Sequence, residues 1–127
     1  MSSVVGEWLI VRYWREDSLV VPIASTQPQI EFSADNRVLV KTGCNSVHST
    51  WTLDPGNNIS FTAPVQTMMF CAQPEGVMEQ ESALASALER STQVEFSSDR
   101  LALLSDAGDV LIEAEDDSSD AGEAQTA

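Results

Sequence analysis

A chain of 127 residues with 43% hydrophobic and 20% charged side chains has room for one globular domain, which can bury roughly two-thirds of its unfolded surface without a metal or a crosslink. Six basic residues stand against twenty acidic ones, a net charge of -14. The bases are scattered at Arg12, Arg15, Arg37, Lys41, Arg90 and Arg100, which excludes the clustered cations a nucleic-acid partner requires and sets the chain against an anionic membrane surface.

The N-terminus, MSSVVGEWLIVRYW, lacks a basic region followed by a long apolar run and a small-residue cleavage site, so it does not read as a signal peptide. No stretch approaches the roughly twenty apolar residues that span a bilayer, so membrane insertion is not expected. If Met1 is the native start, the expected location is the cytoplasm; a signal removed before Met1 makes it periplasmic or cell-envelope.

Residues 4–14 are aromatic and β-branched and predict a first strand, with Trp8 and Ile10 on one face, Leu9, Val11 and Tyr13 on the other, and both faces covered. Trp8 reads as a core anchor. Arg15-Glu16-Asp17 is a turn. Residues 19–23 form a short strand that Pro22 confines to an edge or an end. Gln29-Ile30-Glu31-Phe32-Ser33 followed by Asp35-Asn36-Arg37-Val38-Leu39 is echoed by Gln93-Val94-Glu95-Phe96-Ser97 and Asp99-Arg100-Leu101. Each copy alternates apolar and polar residues, breaks at a Ser/Asp turn and resumes, the pattern of an antiparallel hairpin. Because the turn lengths differ, convergence on hairpin chemistry explains the echo better than duplication. Ile30, Phe32, Val94 and Phe96 are expected in the core.

Residues 38–42 run into Gly43-Cys44-Asn45, where glycine and asparagine, the residues that best tolerate positive φ, mark a tight corner or bulge. Residues 48–53 resume as a strand, Asp54-Pro55-Gly56-Asn57-Asn58 is the strongest turn signal, and residues 59–62 complete the hairpin. One helix follows, with Pro74 at its first position, Glu75, Glu79 and Glu81 early and Arg90 late, all in the sense of the macrodipole. Val77, Leu84 and Leu88 share its apolar face. A turn at Asp106-Ala107-Gly108-Asp109 leads into a last strand over 110–112. Residues 113–127, EAEDDSSDAGEAQTA, hold no large apolar side chain and read as a disordered, solubilising acidic tail. The domain therefore spans 1–112, mostly β with one helix: a compact antiparallel sheet or barrel with the helix packed on it.

Gly6-Glu7-Trp8, Gly43-Cys44-Asn45, an aromatic residue at Trp51, and Thr67-Met68-Met69-Phe70-Cys71 resemble the signature of the META domain, the family that includes the heat-shock protein HslJ. The likeness runs from Gly6 to Ile112 and takes in the helix around Glu79 and Leu84. It departs where the family carries Gly and Tyr and this chain has Ser49 and Trp51, so the local turn there is expected to differ and a hydroxyl is lost. The resemblance implies the fold just described, a role in stress response or at the cell envelope, and no enzymatic activity. The motif residues it singles out are Gly43, Cys44, Asn45, Trp51, Thr67, Met69 and Cys71.

If the chain folds as that family does, Cys44 and Cys71 meet at one end of the sheet. A disulfide there closes a loop worth on the order of 3 kcal/mol in the chain-entropy model; in a reducing cytosol both are buried thiols instead. Cys44 with Asn45 and His48 supplies the residue types of a thiol nucleophile, but four residues along a strand separate sulfur and imidazole too far for direct hydrogen bonding. One histidine and two cysteines without C-x-x-C or H-x-x-x-H spacing indicate no metal site, and no glycine-rich phosphate loop indicates a cofactor. His48 reads as a partly exposed strand residue. Met68, Met69 and Phe70 read as core packing, with an apolar recess as the alternative. The expected function is a non-enzymatic binding module for an unknown protein or a small apolar ligand. A protease inhibitor presenting residues 54–58 is the rival, and a thiol enzyme using Cys44 a more distant one.

Overall fold

The computed structural model describes residues 4–67 and 69–116. Among the described residues ten strands and one helix follow in the order β1 (Gly6–Arg15), β2 (Ser18–Val20), β3 (Gln29–Phe32), β4 (Arg37–Lys41), β5 (Ser46–Leu53), β6 (Ile59–Phe61), β7 (Val65–Gln66), α1 (Val77–Arg90), β8 (Gln93–Phe96), β9 (Arg100–Leu104) and β10 (Val110–Asp116). The main path of the antiparallel sheet is β6-β5-β4-β3-β1-β10-β9-β8, with β2 pairing β1 and β7 pairing β5. The two ends of that path meet: Asn58 bridges Gln93, Ile59 N donates to Thr92 O at 2.9 Å, and Val94 N donates to Asn57 O at 3.0 Å. These contacts nearly close a barrel, which removes most of the exposed edge of an open sheet.

Two irregularities decide what fills the interior. The β1–β10 register slips between Ile10 and Arg12, a bulge that reverses side-chain alternation. Trp8, Ile10 and Tyr13 are therefore all buried, whereas Arg12 points out and pairs with Glu113 at 3.4 Å. Tyr13 thus joins the core with Trp8 and Ile10, correcting its expected place beside Leu9 and Val11; those two are only half-buried. A second slip between Val110 and Ile112 lets the consecutive residues Leu111 and Ile112 both go inward. The core also takes Ile30, Phe32, Val94 and Leu101, with Phe96 half-buried against it.

The echoed segments form the β3–β4 and β8–β9 hairpins. Their turns share one device: Ser33 Oγ donates to Asp35 and Ser97 Oγ to Asp99, while Ser33 N and Ser97 N donate to Arg37 O and Arg100 O. The Asp35 carboxyl is held below its ordinary value chiefly by the Ser33 hydroxyl, with help from Arg37.

The helix packs on β1 and β10, burying Val77, Leu84 and Leu88 as expected, together with Gln80, Glu81 and Ala87. It starts at Val77, with Gly76 as its N-cap at φ 87°. Pro74 therefore precedes the helix and follows a cis peptide bond from Gln73. At the other end, Ser91 Oγ donates to Ala87 O at 2.7 Å. The final strand runs through Asp116, four positions past the expected boundary at Ile112: Glu113 and Glu115 are half-buried at the barrel wall, and Ala114 is buried. Ala114 pairs with both Ile10 and Leu101, so neighbours on each side order a stretch whose composition alone reads as tail. The remainder, 117–127, lies outside the described residues.

Leu84 has no exposed surface, so Leu84→Ala is expected to cost about 2–5 kcal/mol, read as a lower urea midpoint with an unchanged slope, whereas Ser86→Ala on the exposed face stays within about 0.5 kcal/mol. The β5–β6 turn supplies a pH-dependent test. Asp54 Oδ1 accepts from Gly56 N at 2.9 Å and Asn58 N at 3.0 Å, and Oδ2 accepts from Asn58 Nδ2 at 3.1 Å. The Asn58 main-chain N–H, then its side chain, hold the carboxyl below its ordinary value of 3.8. A depressed folded value stabilises the protein above the ordinary one, and the contribution is lost as pH falls through the folded one. The unfolding midpoint of the wild type should therefore exceed that of Asp54→Asn near neutral pH, and the gap should close in acid; a gap independent of pH would refute the role given to the carboxylate.

Candidate functional site

The strongest concentration of side-chain hydrogen bonds lies where β4 turns into β5, at Thr42-Gly43-Cys44-Asn45. Thr42 N donates to Asn45 O at 3.2 Å, closing a tight loop with Gly43 and Cys44 at its tip. Gly43 sits at φ 111°, and a Cβ there would lie 2.8 Å from the Thr26 Cβ, so both backbone conformation and space require glycine.

The helix reaches this corner with two buried polar side chains. Glu81 is 3% exposed; its Oε1 accepts from Asn45 N at 2.8 Å and lies 3.0 Å from Thr42 Oγ1, and its Oε2 accepts from Asn45 Nδ2 at 2.9 Å and Gln66 Nε2 at 2.6 Å. Gln80 Nε2 donates to Thr42 O and Thr26 Oγ1, both at 2.9 Å, while its Oε1 accepts from Ile23 N at 2.8 Å. The stretch after β2 and the corner are thereby fastened to one turn of helix.

Asn45 passes the connection on to the segment before the helix. Its Oδ1 accepts from Thr67 Oγ1 and Met69 N, and its Nδ2 donates to Met69 O, each at 2.8 Å. With Glu81 as the second partner of Nδ2, both donors and both lone pairs of the amide are used. The side chain holds Met69 from N–H to C=O as a neighbouring strand would. Beside this clamp Cys44 and Cys71 form a disulfide with a Cα separation of 6.1 Å. A crosslink spanning 27 residues stabilises by about 3–4 kcal/mol in the chain-entropy model.

Gly43, Cys44, Asn45, Thr67, Met69 and Cys71 thus come together, and Trp51 does not. It lies about 20 Å along β5 at the rise of an extended strand, where its ring packs edge-on against Phe32 with centroids 5.6 Å apart. The Trp51 Nε1 is buried without a hydrogen-bond partner among the described residues. The core reading of residues 67–71 is corrected by exposures of 58% for Met69 and 80% for Phe70: Asn45 grips the Met69 backbone, which turns the apolar side chains outward. Met68 lies outside the described residues.

Sequence reasoning missed Gln80 and Glu81 as functional parts of the corner, taking Glu81 for a dipole residue. The signal is their spacing: both fall between Val77 and Leu84 on the face that the 3.6-residue period buries. His48 points outward on β5, into a surface groove of about 520 Å³ that Glu31, Arg37, Leu39, Thr50 and Val65 also line. Glu31, Leu39, His48 and Val65 are successive cross-strand partners and form one row. Cys44 carries no free thiol, so the pairing of a thiolate with His48 is not made here. Among the described residues no three of His, Cys, Asp and Glu gather as metal ligands, and no helix is long and apolar enough to cross a membrane.

The META domain model matches residues 4–118. No curated protein matches the chain. Among solved structures, a protein from Burkholderia xenovorans determined by NMR is 22% identical and aligns with a TM-score of 0.67 over 88% of this chain and 82% of that one. A DUF4847 family protein from Bacteroides vulgatus, in a crystal structure, is 14% identical with a TM-score of 0.59 over 88% and 92%. At these identities the likeness carries the fold.

Replacing Glu81 by alanine strands the Asn45 and Gln66 donors inside the protein and is expected to cost about 3–5 kcal/mol, with accelerated hydrogen exchange at the Asn45 amide. Glu79→Ala, on the exposed side of the same helical turn, is the control and should change stability by less than about 0.5 kcal/mol.

Proposed function

Because the chain belongs to the META domain family, we propose that it is a non-catalytic binding module of the stress response or the cell envelope, and that it binds through the segment held by Asn45 and the disulfide. One observation carries this reading. The polar groups of the signature are spent inward on one another, leaving Met69 and Phe70 as what the motif offers to solvent. Large apolar side chains fixed in an exposed position suit recognition of an apolar recess on a partner protein. A disulfide between Cys44 and Cys71 suits an oxidising compartment, which supports the envelope as the location over the cytoplasm.

The rival surface, residues 54–58, is less suited to an enzyme cleft. Asp54 N donates to Asn58 O, Asn57 N donates to Asp54 O, and the Asp54 carboxylate fills the turn from inside. A closed turn offers no extended strand for a protease to grip.

The test is capture from the native host under non-reducing conditions with three baits: the full chain, Phe70→Ser, and the chain ending at Asp116. A specific partner retained by the full and shortened chains and lost with Phe70→Ser is the expected result. Equal retention by Phe70→Ser would refute the assignment, and loss on shortening would move the binding surface to the acidic tail.

A further inference from the structure

The same corner carries a second consequence, independent of which partner the apolar pair meets. We infer that the Cys44–Cys71 disulfide is a site of thiol exchange with a dithiol protein, and that its reduction releases the Phe70 segment while the barrel stays folded.

Three observations converge on this. Both cysteines are half-buried at the surface, and Phe70, Ala72 and Gln73 around Cys71 are exposed, so a sulfur is reachable without unfolding. The disulfide is also not what ties the corner to the helix: Asn45 reaches Glu81, Gln80 reaches Thr42, and Asn45 holds Met69, all without sulfur. Reduction therefore leaves the network standing: Thr67 and Met69 stay clamped, Pro74 and Gly76 stay bonded to the start of the helix through Val77 N and Gln80 N, and residues 70–73 between them lose their anchor. Finally, the two sulfurs sit differently. Cys44 lies at the tip of a two-residue loop fixed on both sides, with Sγ 3.7 Å from the Met69 carbonyl oxygen; Cys71 lies in irregular chain with solvent-facing neighbours.

This asymmetry sets the order of events. A thiolate of the partner attacks the Cys71 sulfur, the bond to Cys44 breaks, and Cys44 leaves as a thiolate. Once protonated, Cys44 donates to the Met69 carbonyl already beside it. The partner's second thiolate then attacks its own sulfur in the mixed disulfide, and Cys71 departs and takes up a proton. In balance, the disulfide gains two electrons and two protons, and the partner's dithiol becomes a disulfide.

The experiment uses the oxidised 127-residue chain without denaturant. Treatment with reduced dithiothreitol should expose both thiols to alkylation while the far-UV and near-UV circular dichroism are retained. Chymotryptic cleavage after Phe70 should then accelerate by about tenfold, since the segment opens locally instead of globally. A thioredoxin-type protein whose resolving cysteine is changed to serine should be trapped on Cys71, as mapped by mass spectrometry. A disulfide that stays closed until urea is added, a collapse of the dichroism on reduction, unchanged cleavage after Phe70, or trapping on Cys44 would each overturn the proposal. The partner capture by Phe70→Ser is a separate readout, so either result can fail alone.

Discussion

A carboxylate withdrawn from water needs a full set of donors, and Glu81 finds them on two chain segments, the β4–β5 corner through Asn45 and Thr42 and the β7 strand through Gln66, while the Asn45 amide carries the connection on to Met69. Burying a charge without partners costs several kcal/mol, so the helix has one acceptable seat against the barrel, the one that satisfies all four contacts. Sliding α1 by a single turn would keep much of its apolar face in contact with the sheet. It would leave the Asn45 amide and the carboxylate unpaired. Apolar packing thus attaches the helix, and the polar network selects its register.

Gln80 makes the same selection from the neighbouring position. Its amide bonds to the main chain at Ile23 and Thr42, two places where a strand has ended and backbone groups lack a ladder. A leucine there would bury comparable area and leave both groups unsatisfied, which is the more expensive arrangement. The two adjacent residues therefore finish the hydrogen bonding of one end of the barrel, work otherwise left to water.

Much of this was legible in the chain. Alternation over residues 29–39 and 93–101 located both hairpins, because Ser-Asp turn chemistry is local and survives any tertiary context. The Gly43 corner was legible for the same reason. The pairing of the two cysteines and the clamp on Met69 depend on contacts between residues 24 or more positions apart; the family likeness pointed to the first, and nothing in the sequence pointed to the second. The face taken by Tyr13 was hidden by a bulge, since one extra residue reverses every alternation after it without changing composition. The acidic end of β10 was misjudged for the opposite reason: Glu113 and Glu115 find Arg12 and Arg100 on adjacent strands at 3.4 and 3.8 Å. A charge run that looks like tail in isolation becomes a strand once a neighbour of the other sign lies on each side.

The arrangement also explains why exposed apolar residues can persist on an otherwise acidic surface. Phe70 would ordinarily collapse onto the nearest apolar patch, since full burial of such a side chain is worth roughly 2–3 kcal/mol. Here the backbone just before it is held by Asn45 at both N–H and C=O of Met69, and the residue just after it is crosslinked to Cys44. With both ends fixed, the side chain cannot turn inward without breaking three interactions that together outweigh the gain. Display of the apolar pair is thus enforced by the same bonds that complete the corner, so the stability of that corner and its availability to a partner rest on one set of residues.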